Sequence, residues 1–259
     1  SDFWGVDLKQ IEQKIKVSAV SYANSYPFIY GLQNHPILQQ IELQLDNPAD
    51  CAKKLIGGEV DLGLVPVAII PLLEEAHIIS ESCIGANGSV ETVCLFSEVP
   101  LSEVQEIILD YQSRTSVQLV KLLAEKFWNI KPRWTAAGKD FIGQIKGTTA
   151  GVVIGDRAFE LRDSYPTIID LSEEWKKHTG LPFVFACWVS NRQLPQSFIN
   201  QFEEALKMGL NNRNEAVISM STENHEMLVR YVNDVICYKL DEKKRQAMKL
   251  FLDWLSKPH

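Results

Sequence analysis

The sequence lacks the short motifs that mark the commonest catalytic and cofactor sites. It contains no G-x-S-x-G nucleophile elbow, no G-x-G-x-x-G fingerprint or P-loop, and no H-E-x-x-H pair. Its five histidines are isolated from one another, so each is expected to be a surface or satisfied core residue. These absences argue against the usual hydrolase, nucleotide-binding and zinc-protease chemistries, and no cofactor or metal is predicted.

Paired cysteines are missing as well. The five cysteines are an odd number, widely spaced and without a C-x-x-C pair: Cys51, Cys83, Cys94, Cys187 and Cys237. Each lies among apolar neighbours, which predicts buried free thiols in a reducing compartment. A zinc site needs ligands grouped at short spacing, and the sequence has no such group.

Positive charge and long apolar runs are scarce. The net charge is −7 and the longest basic cluster is Lys243-Lys244-Arg245, which argues against nucleic acid as a partner. Apolar runs such as residues 62–73 are too short and too proline-rich to span a bilayer, so no membrane association is predicted. Residues 1–14 show no signal-peptide pattern and are expected to form a loosely attached leader. A local pocket for a small anion is compatible with all of this.

What is present begins with residues 15–20, an apolar run of strand length. Small polar residues follow, and apolar residues at helical spacing resume after Pro27, a residue favoured in the first turn of a helix. Ser21–Tyr26 is therefore predicted to be a strand-to-helix turn. Ligands of open α/β sheets bind over such turns, although many first turns bind nothing.

The order of elements predicts two α/β lobes. Strands and helices alternate up to residue 97, which favours a mostly parallel sheet with helices on both faces. A second set of βα units fills residues 98–191. From Leu194 onward the pattern is helical, and helices without strands of their own must cover an existing sheet. We expect one lobe from residues 15–97 plus 192–259, a second lobe from 98–191 inserted into it, and crossings near 96–100 and 188–193.

A second polar turn, Ser113-Arg114-Thr115-Ser116, opens a predicted helix. Hydroxyls together with the free N–H groups of a helix start can bind a carboxylate or phosphate, and Arg114 can add a bidentate contact. Ordinary helix capping by Ser113 or Thr115 is the alternative.

Three further stretches are candidates for a site. Gly88-Ser89-Val90 precedes a strand near the first crossing, where a cleft between the lobes would lie, or is only a tight turn. Thr179-Gly180-Leu181-Pro182 is the expected mouth of a pocket lined by the aromatic residues that follow, or is simply part of the core. Asp156 is either a carboxylate in the cleft or a helix cap, and the cap is favoured.

Several stretches together, in this order and spacing, resemble the chorismate dehydratase family of the futalosine route to menaquinone. The resemblance is strong over residues 15–190 and loose in the C-terminal helices. It rests on residues 21–24 with 27–32, 58–66, 89–90, Asp110 with 113–116, 154–156, and 170–171 with Trp175 and 179–186.

The resemblance implies a type II periplasmic-binding-protein fold, with two α/β lobes around a ligand cleft, in a cytoplasmic enzyme without a cofactor. The implied substrate is chorismate, which loses water to give 3-[(1-carboxyvinyl)oxy]benzoate. A proton leaves the ring carbon bearing the enolpyruvyl ether, and hydroxide leaves the neighbouring carbon. Because aromatisation drives the reaction, the enzyme mainly has to orient the dianion.

The resemblance also implies roles for particular residues. Asn24 is expected at the reacting centre, while a carboxylate of chorismate itself takes the proton, because an amide is a poor base. The residues expected to contact substrate are Ser21, Ser89, Ser113, Arg114, Thr115, Ser116, Thr179 and Gly180, with Arg114 either assisting or bracing its loop. All of these stretches are expected to converge on one pocket.

Two other functions fit the same fold. The sister enzyme 1,4-dihydroxy-6-naphthoate synthase carries a first turn rich in Pro and Cys and uses a histidine, and neither feature is present here. A solute-binding protein that captures an anion without chemistry is the second alternative, although exported proteins seldom keep five free thiols. The sequence makes no prediction of oligomeric state.

Overall fold

A computed structural model describes residues 13–110 and 112–257 of the chain. The expected leader therefore lies almost wholly outside the described residues. The strands are β1 Ile15–Val20, β2 Ile41–Asp46, β3 Leu62–Pro66, β4 His77–Ala86, β5 Val93–Ser97, β6 Glu106–Leu109, β7 Arg133–Ala136, β8 Thr149–Ile154, β9 Thr167–Asp170, β10 Phe183–Ser190 and β11 Cys237–Lys239. The helices are α1 Tyr26–Asn34, α2 Pro48–Ile56, α3 Arg114–Leu123, α4 Arg157–Glu160, α5 Leu171–Thr179, α6 Gln196–Leu210, α7 Arg213–Met220, α8 His225–Arg230 and α9 Glu242–Ser256.

These strands form two sheets, one in each lobe. The first sheet has six strands in the order β11-β4-β10-β3-β1-β2, and the second has five in the order β7-β6-β8-β5-β9. Lobe 1 denotes the first sheet with its helices, and lobe 2 denotes the second. The two-lobed α/β architecture predicted from the sequence is confirmed.

The prediction of a mostly parallel first sheet is wrong, and both sheets are mixed. In the first sheet β1 pairs in parallel with β2 and β3, whereas β10 runs antiparallel to both β3 and β4. In the second sheet β6 is parallel to β7 and β8, whereas β5 is antiparallel to β8 and β9. The antiparallel strands β5 and β10 are those that follow a crossing, because the chain passes directly into the other sheet without a helix that returns it to the starting end.

The predicted lobe boundaries at 97/98 and 191/192 are displaced by the same two strands. β5 was expected in the first lobe, but its hydrogen bonds lie in the second sheet. β10 was expected in the second lobe, but it is a central strand of the first sheet. The crossings are therefore residues 87–92 and 180–182. Apolar runs such as β5 and β10 look alike in sequence whichever sheet they join.

Two short strands also differ from the prediction. β7 was not predicted, and β11 lies within a stretch that was expected to be wholly helical. Val67–Leu72 is a 3-10 helix containing Pro71. β7 has only four residues and β11 only three, too few to show a period in sequence.

Close packing of α1 against α6 fixes the first helix on lobe 1. A Cβ atom at Gly31 would lie 2.1 Å from the Ala205 carbonyl oxygen, and one at Gly209 would lie 1.8 Å from the Pro27 oxygen. Only glycine permits this backbone-to-backbone contact. The polar residues between β1 and α1, 21–25, form the first polar turn. Because α1 begins directly after this turn, the contact between α1 and α6 also holds the turn in place.

The cysteines are free thiols, as predicted, and four of the five are buried. Burial raises the pKa of Cys51 and of Cys187 to about 12, so both stay protonated at neutral pH. Within the described residues, no helix combines the length and apolar character needed to cross a membrane.

Candidate active site

A cavity lies between the two lobes at the end of the first sheet. It encloses about 540 Å³ of space not occupied by atoms, part of it open to solvent. Its polar wall consists of Tyr22, Asn24, Thr92, Ser113 and Ser116, and the rest of the lining is mainly apolar.

The first polar turn supplies Asn24. β1 ends at Val20, a single 3-10 turn spans Ala23–Ser25, and α1 follows with Pro27 in its first turn. The side-chain Oδ1 of Asn24 accepts a hydrogen bond of 2.9 Å from the Ser25 hydroxyl, and its carbonyl oxygen accepts one of 2.7 Å from the Tyr238 hydroxyl. Asn24 is therefore held through its backbone and its side chain while it lines the cavity.

The second polar turn supplies Ser113 and Ser116 from lobe 2. The Ser113 hydroxyl caps α3 by accepting a bond of 3.3 Å from the Ser116 N–H, and the Ser116 hydroxyl lies 3.2 Å from it. Both side chains also line the cavity. Capping and cavity lining, which the sequence left as alternatives, therefore occur together. The N-terminus of α3 brings a partial positive charge to this wall.

Thr115 and Arg114 belong to the same turn but do not contribute to the cavity wall. The Thr115 hydroxyl accepts a hydrogen bond of 3.2 Å from the Ala68 N–H, which links lobe 2 to the 3-10 helix of lobe 1. Arg114 is exposed and, among the described residues, forms no ion pair. Neither residue lines the cavity.

Ser89 does not reach the cavity either, because Asp170 uses its hydroxyl. Ser89 donates a bond of 2.7 Å to the Asp170 carboxylate, which also accepts from the Val90 and Glu91 N–H groups and caps α5. The carboxylate therefore organises the first crossing. The neighbouring residues Val90 and Thr92 line the cavity in place of Ser89.

The remaining predicted contacts also lie away from the cavity. The Thr179 hydroxyl donates to the Trp175 carbonyl oxygen at 2.7 Å, and Gly180 ends α5 in the left-handed conformation. Ser21 is exposed and lies 3.5 Å from the Asp46 carbonyl oxygen. The predicted convergence holds for Asn24, Ser113 and Ser116. Ser21, Ser89, Arg114, Thr115, Thr179 and Gly180 are not among the residues that line the cavity, although Val20, Tyr22 and Val90 bring the stretches around Ser21 and Ser89 to its wall. A contact between these six residues and substrate stays a prediction.

The sequence did not reveal a buried pair of hydroxyl groups near Asn24, those of Thr92 and Tyr231. Thr92, on the cavity wall, lies 2.5 Å from the hydroxyl of Tyr231. Burial raises the pKa of Tyr231, while the hydrogen bond with Thr92 and, more weakly, one with Asn24 lower it. Tyr231 is 1% exposed and begins a π-helical turn. Because it belongs to an apolar stripe in the sequence, nothing distinguished it from an ordinary core residue.

No charged side chain lines the cavity among the described residues. The turn at Gly155 does bring a carboxylate close, since Asp156 accepts a hydrogen bond of 3.2 Å from the Ala23 N–H of the first turn. Burial raises the pKa of Asp156, and this hydrogen bond lowers it in part. Asp156 was expected to cap α4, but its side chain makes no capping bond there.

Metal ligands are not grouped in the part of the chain that the structure describes. No cluster of three or more histidine, cysteine, aspartate or glutamate side chains there could hold an ion. The chemistry available at the cavity is thus hydrogen bonding by hydroxyls, one amide and the N-terminus of α3.

Two lobes, each built on its own sheet, with a polar-walled cavity between them define the class of periplasmic-binding-protein-like folds. A protein of Archaeoglobus fulgidus superposes with a TM-score of 0.75 at 16% identity, covering 93% of this chain and 96% of that one. The periplasmic aliphatic sulphonate binding protein of Escherichia coli gives a TM-score of 0.58 at 11% identity, covering 95% and 94%. At these identities the likeness concerns the fold alone.

The sequence identifies the family within this class. The chain belongs to the menaquinone biosynthesis family, whose profile matches residues 15–257. A chorismate dehydratase of Thermus thermophilus is 27% identical over 261 residues, which cover 92% of this chain and 93% of the relative. A chorismate dehydratase of Campylobacter jejuni is 24% identical over 152 residues, covering 56% of this chain and 66% of the relative.

Proposed function

We propose that this chain is a chorismate dehydratase of menaquinone biosynthesis, a hydro-lyase that converts chorismate into 3-[(1-carboxyvinyl)oxy]benzoate. Family membership and the Thermus thermophilus relative support the assignment. The structural observation that carries it is the position of Asn24, which shares one cavity with the Ser113 and Ser116 hydroxyls of the opposite lobe.

Chorismate carries two carboxylates, and the cavity offers neutral donors for them. In this proposal the Ser113 and Ser116 hydroxyls and the first N–H groups of α3 bind one carboxylate, helped by the helix dipole. The first N–H groups of a helix have no acceptor within the helix. The Ser113 hydroxyl already accepts the Ser116 N–H, so the N–H groups of Arg114 and Thr115 are the ones that this proposal assigns to the ligand. The apolar lining then holds the ring.

Asn24 acts at the reacting centre in this proposal. Its amide holds the leaving hydroxyl group or fixes the second carboxylate, because an amide is a good hydrogen-bonding group and a poor base. A carboxylate of the substrate takes the proton from the ring carbon that bears the ether. The C–H electron pair forms the new ring double bond, hydroxide leaves the neighbouring carbon, and the proton and hydroxide become water. The absence of a charged side chain from the described cavity wall supports this division of roles.

The cavity in this proposal works without a cofactor, and we place the enzyme in the cytoplasm because its five free thiols suit a reducing compartment. The sister enzyme is disfavoured, since no histidine lines the cavity among the described residues.

Purified protein incubated with chorismate tests the proposal, with the aromatic product followed by ultraviolet absorbance and mass spectrometry. We expect turnover by the wild type and a large loss of kcat in Asn24→Ala. Asn34→Ala is the matched control, because Asn34 is exposed at the other end of α1. Binding of chorismate without product would indicate a solute-binding protein, and turnover of Asn24→Ala at the wild-type rate would remove Asn24 from the reacting centre.

A further inference from the structure

The turn after β8 carries a carboxylate that points away from its own helix. Asp156 sits at the position before α4, where an aspartate normally caps the helix, yet it makes no capping bond. Its Oδ1 instead accepts the Ala23 N–H at 3.2 Å, and Ala23 belongs to lobe 1. The Asp156 carboxylate therefore bonds to lobe 1, although Asp156 itself belongs to lobe 2.

The backbone around Asp156 is shaped for this contact. Gly155 has a φ of +75°, and a Cβ atom there would lie 2.9 Å from the ring of Tyr22. The absence of a side chain lets the β8–α4 turn press against the ring of Tyr22, and the next residue, Ala23, then reaches Asp156. Tyr22 also hydrogen-bonds to Gln112 of lobe 2.

Asn24 follows these two residues and is anchored on its other side as well. Lobe 2 holds Tyr22 and Ala23, while the Tyr238 hydroxyl of lobe 1 holds the Asn24 carbonyl oxygen at 2.7 Å. A shift of the Ala23 peptide would therefore turn Asn24 about a fixed carbonyl oxygen.

We propose that Asp156 is a positioning residue for the dehydration, because its carboxylate oxygen fixes the Ala23 amide and thereby sets the direction of the Asn24 side chain in the cavity. The inference rests on the proposed function. It assigns Asp156 no contact with substrate and no proton transfer. What matters is an acceptor oxygen at the Oδ1 position, since Ala23 is 1% exposed and its N–H would otherwise be left buried without a partner.

The acceptor role predicts a specific ranking of variants. Asp156→Asn keeps a carbonyl oxygen at the same place and should retain most of the wild-type kcat. Asp156→Ala removes the acceptor and should lower kcat about tenfold with a smaller change in KM, the size expected for one hydrogen bond. Asp156→Ser ends one atom short of Oδ1 and should resemble Ala, which keeps the test usable if Ala folds poorly. Asp163→Ala, at an exposed aspartate, is the control.

A double variant tests whether Asp156 acts through Asn24. In an Asn24→Ala background, adding Asp156→Ala should cause no further fall in kcat, because the side chain that Asp156 positions is already gone. A full additional tenfold loss would overturn the inference. So would wild-type kcat in Asp156→Ala, or an Asp156→Asn variant as poor as Ala, which would show that the negative charge is what matters.

Amide hydrogen exchange tests the hydrogen bond between Ala23 and Asp156 in the absence of substrate. Exchange in a peptide containing residues 21–26, measured by mass spectrometry, should be faster in Asp156→Ala than in the wild type or Asp163→Ala. Unchanged exchange contradicts the inference, whatever the activity. Wild-type protein that forms no product from chorismate contradicts the proposed function instead, so the two failures are distinguishable.

Discussion

Gly155→Ala is the substitution that tests how closely the lobes must approach. At Gly155 the backbone is left-handed, with φ +75°, and the new Cβ atom would lie 2.9 Å from two atoms of the Tyr22 ring. Contact without strain begins at 3.4 Å, so the ring or the turn has to move by about 0.5 Å.

Gly58→Ala is the matched control, because Gly58 has nearly the same φ, +76°, and nothing within 4 Å of the added Cβ atom. The left-handed backbone alone costs roughly 1–2 kcal/mol at either position. At Gly155 the steric contact adds about 1–3 kcal/mol. Gly155→Ala should therefore lower the free energy of unfolding more than Gly58→Ala, as measured by urea denaturation.

Gly155→Ala and Gly58→Ala should differ more in activity than in stability. Because Tyr22 precedes Ala23 and Asn24, a displacement of about 0.5 Å reaches the reacting centre, where a misplacement of about 1 Å can lower the rate about 100-fold. We expect kcat for chorismate to fall about tenfold in Gly155→Ala and to stay at the wild-type value in Gly58→Ala. Wild-type kcat in Gly155→Ala, or an equal loss in both variants, would refute the proposed lobe contact.

Three further predictions concern binding and stability. Ser116→Ala removes one hydroxyl from the cavity wall and should raise KM about fivefold in steady-state assays, since one neutral hydrogen bond contributes about 1 kcal/mol; an unchanged KM would contradict carboxylate binding there. Burial raises the pKa of Glu91, but hydrogen bonds from Arg230 and Arg162 outweigh it and lower that pKa below 4.5. This stabilisation is present above pH 4.5 and is lost as the pH falls through the folded-state pKa. Glu91→Gln should therefore reduce the free energy of unfolding by about 1–2 kcal/mol at pH 7, with a difference that shrinks below pH 4.5; a constant difference down to low pH would count against the ion pairs. Asn129 follows the π-helical turn Ala124–Trp128 and has a left-handed backbone with φ +54°. Asn129→Gly should therefore raise the free energy of unfolding by up to about 1 kcal/mol in thermal denaturation; a lower free energy of unfolding would contradict this prediction.

The fold was predictable where local patterns were long. β1 was predicted with its observed bounds, and the two polar turns were found because each follows an apolar strand and opens a helix. The sheet to which a strand belongs depends instead on contacts distant in sequence. β5 and β10 are continuous apolar runs that fit either sheet, so the predicted lobe boundaries were displaced.

The candidate site was predictable to a similar degree. Asn24, Ser113 and Ser116 were identified correctly as cavity residues, two of them from a polar helix start. Ser89 and Thr179 look equally available in sequence, but their hydroxyls bond to Asp170 and to the Trp175 backbone. A sequence shows that a hydroxyl is present and not which partner occupies it. Asp156 shows the converse, because a residue expected to cap its own helix binds the other lobe.

The central claim is that the cavity between the lobes removes water from chorismate, with Asn24 at the reacting centre. The most direct measurement is single-turnover conversion of chorismate by the purified wild type and by Asn24→Ala, with product quantified by mass spectrometry. We predict 3-[(1-carboxyvinyl)oxy]benzoate from the wild type and a severe loss of rate in the variant, while binding of chorismate persists. Chorismate recovered unchanged from the wild-type protein, or equal rates in the two proteins, would contradict the account.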